Sequence, residues 1–187
     1  MASATSTRAT LDDLYRVEGK AELIGGRIVQ PMASGVLPTL VAANIYRQLH
    51  EYNKGARFGT AFPDGLGYAV PELESGRESF QPDASFYRGK LPAKRMRFID
   101  GAPDFAVEVR SENDYGAAAE REMAAKRVDY FAAGTQVVWD VDPQAETVAI
   151  YVPIAPENPR ILRKGDMGDA EPAVLGWRMS VDEIFES

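Results

Sequence analysis

Along residues 101 to 113, GAPDFAVEVRSEN, the apolar residues Phe105, Val107 and Val109 alternate with Ala106, Glu108 and Arg110. A period of two predicts a β-strand that turns the apolar trio to one face and Glu108 with Arg110 to the other. The segment that follows, DYGAAAEREMAAKRVDYFAAG, is rich in alanine and long side chains and closes on Gly134, which predicts a helix. A second apolar run, QVVWDVD at residues 136 to 142, predicts another buried strand, and the Asp142-Pro143 turn leads into a further one, TVAIYV. Strand, helix and strand in that order suggest a crossover unit within a sheet.

Upstream, TLDDLYRVEG at residues 10 to 19 opens with Thr10 as a candidate N-cap and predicts a short helix. AELIGGRIVQPM carries two apolar runs around Gly25-Gly26, a hairpin signal. Leu40, Val41, Ile45 and Leu49 recur at helical spacing in a segment that stops at Gly55, predicting a core-facing helix with a glycine cap. From Ala56 to Arg88 the pattern is strand-like, through GYAV, a polar loop at 74 to 78, and FQPDASFYR. The tail VLGWRMSVDEIFES predicts a short strand and a terminal helical turn anchored by Trp177 and Phe185. These elements make an α/β chain, α+β in the sense of a mixed sheet flanked by helices, because hairpins precede the crossover unit.

A length of 187 residues suits one domain, placed at 10 to 187, after a disordered lead-in at 1 to 9. No apolar stretch approaches the roughly 20 residues that span a bilayer, and MASATSTRAT has no apolar run of the secretory kind, so the expected location is cytoplasmic. With no cysteine and one histidine, His50, thiol chemistry, cysteine zinc sites and a serine-hydrolase triad are disfavoured. Any metal would be held by oxygens, which favours Mg²⁺, Mn²⁺ or Ca²⁺. The net charge of -7 argues against a general nucleic-acid coat protein but leaves room for a local basic groove.

Glu108, in an otherwise apolar strand, needs exposure, a cation or a metal. Asp83 follows Pro82 at a strand start, where a carboxylate is easily aimed off a sheet edge. Met123, Lys126 and Tyr130 share a helix face, which turns Lys126 inward. Glu22 lies beside the hairpin. The bland alternatives are ordinary: Glu108 pairing with Arg110 or Lys126, Lys126 pairing with Glu122 one turn away, and Glu22 solvated. Asp104 and Asp142 read as turn acids, Asp140 as a turn acid or a supporting one, and His50 as a surface residue. Arg88, Lys90, Lys94, Arg95 and Arg97 form the one sustained basic run; Arg88, Lys90 and Arg95 are candidates for phosphate contacts.

Pro-Asp followed by Glu-x-basic on a later strand resembles the PD-(D/E)XK restriction-endonuclease-like superfamily. More narrowly, AELIGGRIV, QPD, PDFAVEVRS, KRVDYFAAG, VVWDVDP and VLGWRMSVDEIF, in that order, resemble the Uma family of endonucleases over residues 10 to 186. The resemblance implies a restriction-endonuclease-like core and a Mg²⁺ ion, with Mn²⁺ as a substitute. It puts that ion on Asp83, Glu108 and the backbone carbonyl of Val109, with Glu22 as a supporting acid. The departure is Arg110, which stands where the superfamily pattern has lysine. Arginine is a poor proton acceptor, so the lysine role passes to Lys126, and Arg110 is left as a second contact for phosphate.

The resulting expectation is a metal-dependent endonuclease acting on DNA, with two-fold homodimers by analogy. A non-catalytic nucleic-acid or protein-binding domain on the same fold is the rival reading. A two-carboxylate glycoside hydrolase is the third.

Overall fold

A computed structural model describes residues 8–186. The expected lead-in falls mostly outside the described residues. The chain begins with α1 (Leu11–Leu14), which is shorter than the 10 to 19 expectation, although Thr10 does cap it in a reciprocal box with Asp13. The hairpin β1 (Glu22–Ile24) and β2 (Arg27–Val29) follows, turning at Gly25-Gly26, both at positive φ. Next is α2 (Val36–Ala56). It overruns the expected cap at Gly55 and ends instead on Arg57 in the left-handed region. Val41, Ile45 and Leu49 are buried as the spacing predicts, but Leu40 is 42% exposed. It stands at the edge of the apolar stripe, not within it.

Then come β3 (Thr60–Pro63), β4 (Tyr68–Ala69), β5 (Ser79–Phe80), β6 (Ala84–Tyr87), β7 (Ile99–Asp100) and β8 (Phe105–Val109). The helix α3 (Ala117–Ala132) crosses to β9 (Val137–Asp142), followed by β10 (Thr147–Tyr151) and β11 (Arg160–Leu162). A last hairpin, β12 (Met167–Ala170) with β13 (Val174–Ser180), leads into α4 (Val181–Ile184).

The main sheet has six strands in the order β11-β10-β9-β8-β6-β3. Only β8 and β9 are parallel, joined through α3; the other neighbours are antiparallel. It is the mixed sheet flanked by helices that the sequence predicts. The two faces follow the alternation. Phe105, Val107 and Val109 of β8 pack with Trp139, with Ile45 and Leu49 of α2, and with Trp177 of β13. Ala106 and Val138 face the other way, into a second cluster with Tyr130 of α3 and with Tyr68 and Phe80 of the small sheet β5-β4-β7. Each fully buried aromatic or aliphatic side chain here contributes about 1.5–3 kcal/mol. Trp177 is buried, whereas Phe185 is only partly covered.

The even-numbered face of β8 therefore looks at α3, and Glu108 lies on it. Among the described residues, no helix is long and apolar enough to cross a membrane.

Candidate active site

Asp83 immediately precedes β6. Because β6 runs antiparallel to β8, this places Asp83 beside the end of β8: its amide donates to the Val107 carbonyl at 2.9 Å, and its Oδ2 accepts from the Val109 amide at 2.7 Å. That second bond aims the carboxylate off the sheet toward the same groove that Glu108 faces. The groove encloses about 530 Å³ and is lined by Lys20, Glu22, Arg77, Asp83, Glu108 and Lys126, among others.

From α3, Lys126 Nζ sits between two carboxylates, 2.9 Å from Glu108 Oε2 and 3.0 Å from Glu22 Oε1. One turn further on, the Tyr130 hydroxyl donates to Glu108 Oε1 at 2.6 Å. Lys126 thus turns inward with Met123 and Tyr130, and the surface pair with Glu122 is not formed. Glu22 Oε1 also accepts from the Gln81 amide at 3.0 Å, its Oε2 pairs with Arg77, and Arg77 Nε donates to Asp129 at 2.8 Å. Lys20 Nζ lies 2.6 Å from Asp83 Oδ1 and 2.9 Å from Asp64 Oδ1.

Five carboxylates in this network thereby meet three cations, an excess of two negative charges when all are ionised. Burial works against the Glu22 carboxylate, but the charges of Lys126 and Arg77 and the Gln81 amide overcome it and hold Glu22 down at about 2. For Glu108 the balance falls the other way. Burial, reinforced by Asp83 and Glu22, outweighs Lys126 and Lys20 and raises its proton affinity. Burial also opposes charge on Lys126 and Lys20, yet their carboxylate neighbours prevail and both are shifted upward. Both are ammonium groups at neutral pH.

Lys20, Arg77, Tyr130 and Asp64 are site residues that the sequence reading does not single out as such. A signal for Lys20 exists: it stands two positions before Glu22 and so shares its side of an extended segment. Of the nucleic-acid candidates, Arg110 lines the same groove, whereas Arg88, Lys90 and Arg95 lie away from it. Arg110 turns its guanidinium to the buried Asp140, at 2.9 Å, and to Glu120. Arg127 completes the pairing of Asp140. Arg88 is at the other end of β6 from Asp83, bound to Asp104, and Lys90 and Arg95 are exposed in the loop that follows. Asp142 caps the turn at Gln144 and Ala145, and His50 is exposed, as predicted.

Residues 9–182 match a family model described as "Uma2: Putative restriction endonuclease". The chain belongs to the Uma2 family. The Uma2 match spans every residue of the cluster from Lys20 to Tyr130. The fold is similar to the crystal structure of "a putative nuclease belonging to DUF820 from Anabaena variabilis ATCC 29413", with a TM-score of 0.73. The likeness covers 94% of this chain and 97% of that one at 22% sequence identity, and it speaks for the fold. A comparison with curated proteins gives no match.

The resemblance to the PD-(D/E)XK superfamily drawn from the sequence implies a metal. Among the described residues, no three Asp, Glu or His side chains converge as a ready-made metal cage. The donor set nonetheless suits a hard divalent cation. Asp83 and Glu108 present only oxygens to one groove, the local charge excess is two, and Asp83 already attracts a cation in Lys20. Mg²⁺ keeps several waters and needs only one or two carboxylates.

Proposed function

We propose that this Uma2 protein is a divalent-metal-dependent nuclease that hydrolyses phosphodiester bonds in DNA. The observation that carries this reading is the position of Lys126, an ammonium bridging Glu108 and Glu22 in the open groove that Asp83 also lines. Asp83, Glu108 and the Val109 carbonyl would hold Mg²⁺ or Mn²⁺. Such an ion supplies Lewis acidity toward a phosphate oxygen and a lowered pKa for its bound water.

The protein's own groups do the positioning. The Val109 amide fixes Asp83, and the Tyr130 hydroxyl fixes Glu108. Arg77 and the Gln81 amide anchor Glu22, which in turn holds Lys126. Since its carboxylate neighbours keep it protonated, Lys126 serves by donating: it stabilises the negative charge that develops on phosphate and orients the attacking water. It does not act as the base. Arg110, committed to Asp140 and Glu120, supports the strand end and leaves direct phosphate contact to Lys126. Arg88, Lys90 and Arg95 would meet phosphates farther along the duplex. A homodimer, acting in the cytoplasm, would bring two such sites to two strands.

Plasmid nicking with Mg²⁺ or Mn²⁺ tests the proposal. Wild type is expected to nick, with the activity lost in Asp83→Ala and Lys126→Ala; nicking that survives both substitutions overturns it. The pairing of both candidate ligands with lysines favours one alternative, a DNA-binding domain without catalysis. DNA binding with no nicking under either metal would select it.

A further inference from the structure

The Lys20 ammonium sits where a cation bound to Asp83 belongs. It lies 2.6 Å from Oδ1, and the other oxygen is engaged by the Val109 amide. Its charge is drawn there by Asp83, Glu108 and Asp64 together, against the penalty of burial. A metal at its usual distance of about 2.1 Å from Oδ1 would stand within about 5 Å of the ammonium, close enough for strong repulsion in a partly buried groove.

We propose that Lys20 is a resident counter-ion that a divalent metal must displace from Asp83, and that this competition sets the metal affinity of the site. The inference rests on the metal-dependent reading above and deepens it. Asp64 gives the displaced side chain somewhere to go. It lies just past β3, is half exposed, and already accepts from the same ammonium at 2.9 Å. Lys20 therefore moves from a two-carboxylate bridge to a single surface pair without leaving its charge unpartnered. Lys126 has no such exit, because both of its partners belong to the inner network.

The test is Mn²⁺ titration calorimetry on the full chain, comparing wild type with Lys20→Met, Lys20→Gln and Lys20→Arg, each checked by thermal melting. Lys20→Met should bind Mn²⁺ about tenfold tighter or more, the scale on which groups next to a metal tune its affinity. Lys20→Gln keeps a hydrogen-bond donor without charge and should also tighten binding, which separates electrostatic competition from a structural role and serves if the methionine variant fails to fold. Lys20→Arg should stay near wild type. Binding in the neutral variants no tighter than wild type overturns the proposal, as does Lys20→Arg behaving like them. Plasmid nicking on the same samples reads the underlying function separately. Nicking by wild type without tighter metal binding in the variants sinks the role of Lys20 alone; absence of both nicking and Mn²⁺ binding from every folded sample sinks both.

Discussion

Tyr130 and Lys126, one helical turn apart on α3, take the two oxygens of the same carboxylate: the tyrosine hydroxyl donates to Glu108 Oε1 at 2.6 Å, and the ammonium lies 2.9 Å from Oε2. Tyr130→Phe removes one of these bonds and keeps the ring, which stacks on Phe80 with centroids 4.2 Å apart. The expected loss of stability is about 1 kcal/mol. DNA cleavage should fall about tenfold, because Glu108 is then oriented by Lys126 alone. Thermal melting beside nicking rates checks this; unchanged cleavage would show that Glu108 needs no such support.

Glu22 gives the fold an acid limit. Its carboxyl is held at about 2, against an ordinary value of 4.5, so the unfolded chain takes up this proton first as the pH falls. The stabilisation is whole above about pH 4.5 and is lost progressively toward pH 2. Glu22→Gln should lower stability by about 3 kcal/mol at neutral pH, because Arg77 and Lys126 each lose a partner, and should flatten the acid limb. Urea unfolding at a series of pH values checks both; an unaltered acid limb would assign it to other carboxylates.

Arg110→Ala leaves the buried Asp140 with Arg127 alone. A loss of about 3 kcal/mol is expected. Nicking per folded molecule, measured well below the melting temperature, should change far less than in Lys126→Ala. A comparable loss of activity in both would return Arg110 to the reaction.

Lys90 and Arg95 are exposed, and their loop starts at Arg88, five positions along the strand from Asp83 or about 16 Å at the usual strand rise. Alanine at either position should weaken DNA binding for all sequences alike and reduce the slope of log affinity against log salt by about 1. Fluorescence anisotropy at several salt concentrations reads the slope, and a slope unchanged in both variants removes the loop from the DNA path.

The heart of this site is legible in one dimension wherever regular periodicity carries it. Alternation in β8 puts Glu108 on the face opposite Val107, and helical spacing puts Lys126 and Tyr130 on one side of α3, so the crossover unit alone brings them together. Arg77 escapes because its segment carries no period, and Lys20 because its segment offers only the two-residue offset from Glu22. Those segments are placed by side chains bonding to backbone across long separations, such as Gln81 Oε1 to the Ala21 amide and Ser79 Oγ to the Leu23 amide. Arg110 shows a different limit. The period of two assigns it the face of Glu108 correctly, but its long side chain reaches sideways to Asp140, which is paired with Glu108 in the register of β8 and β9. The buried Asp140, shared with Arg127, decides where the guanidinium goes.

The exposed loop between β6 and β7, with Met96 at 94% exposure, also divides the site by chain order. Everything before it supplies Lys20, Glu22, Arg77 and Asp83; everything after it supplies Glu108, Lys126 and Tyr130. A single nick in this loop would leave Lys20 with Asp64 and Asp83, and Arg77 with Glu22, on one fragment and Lys126 with Glu108 on the other, so that within this network only Arg77–Asp129 and Lys126–Glu22 cross the break. Those two crossing pairs, both largely buried, together with the pairing of β6 on β8, would hold the halves of a nicked molecule together, making it a natural subject for split-protein complementation.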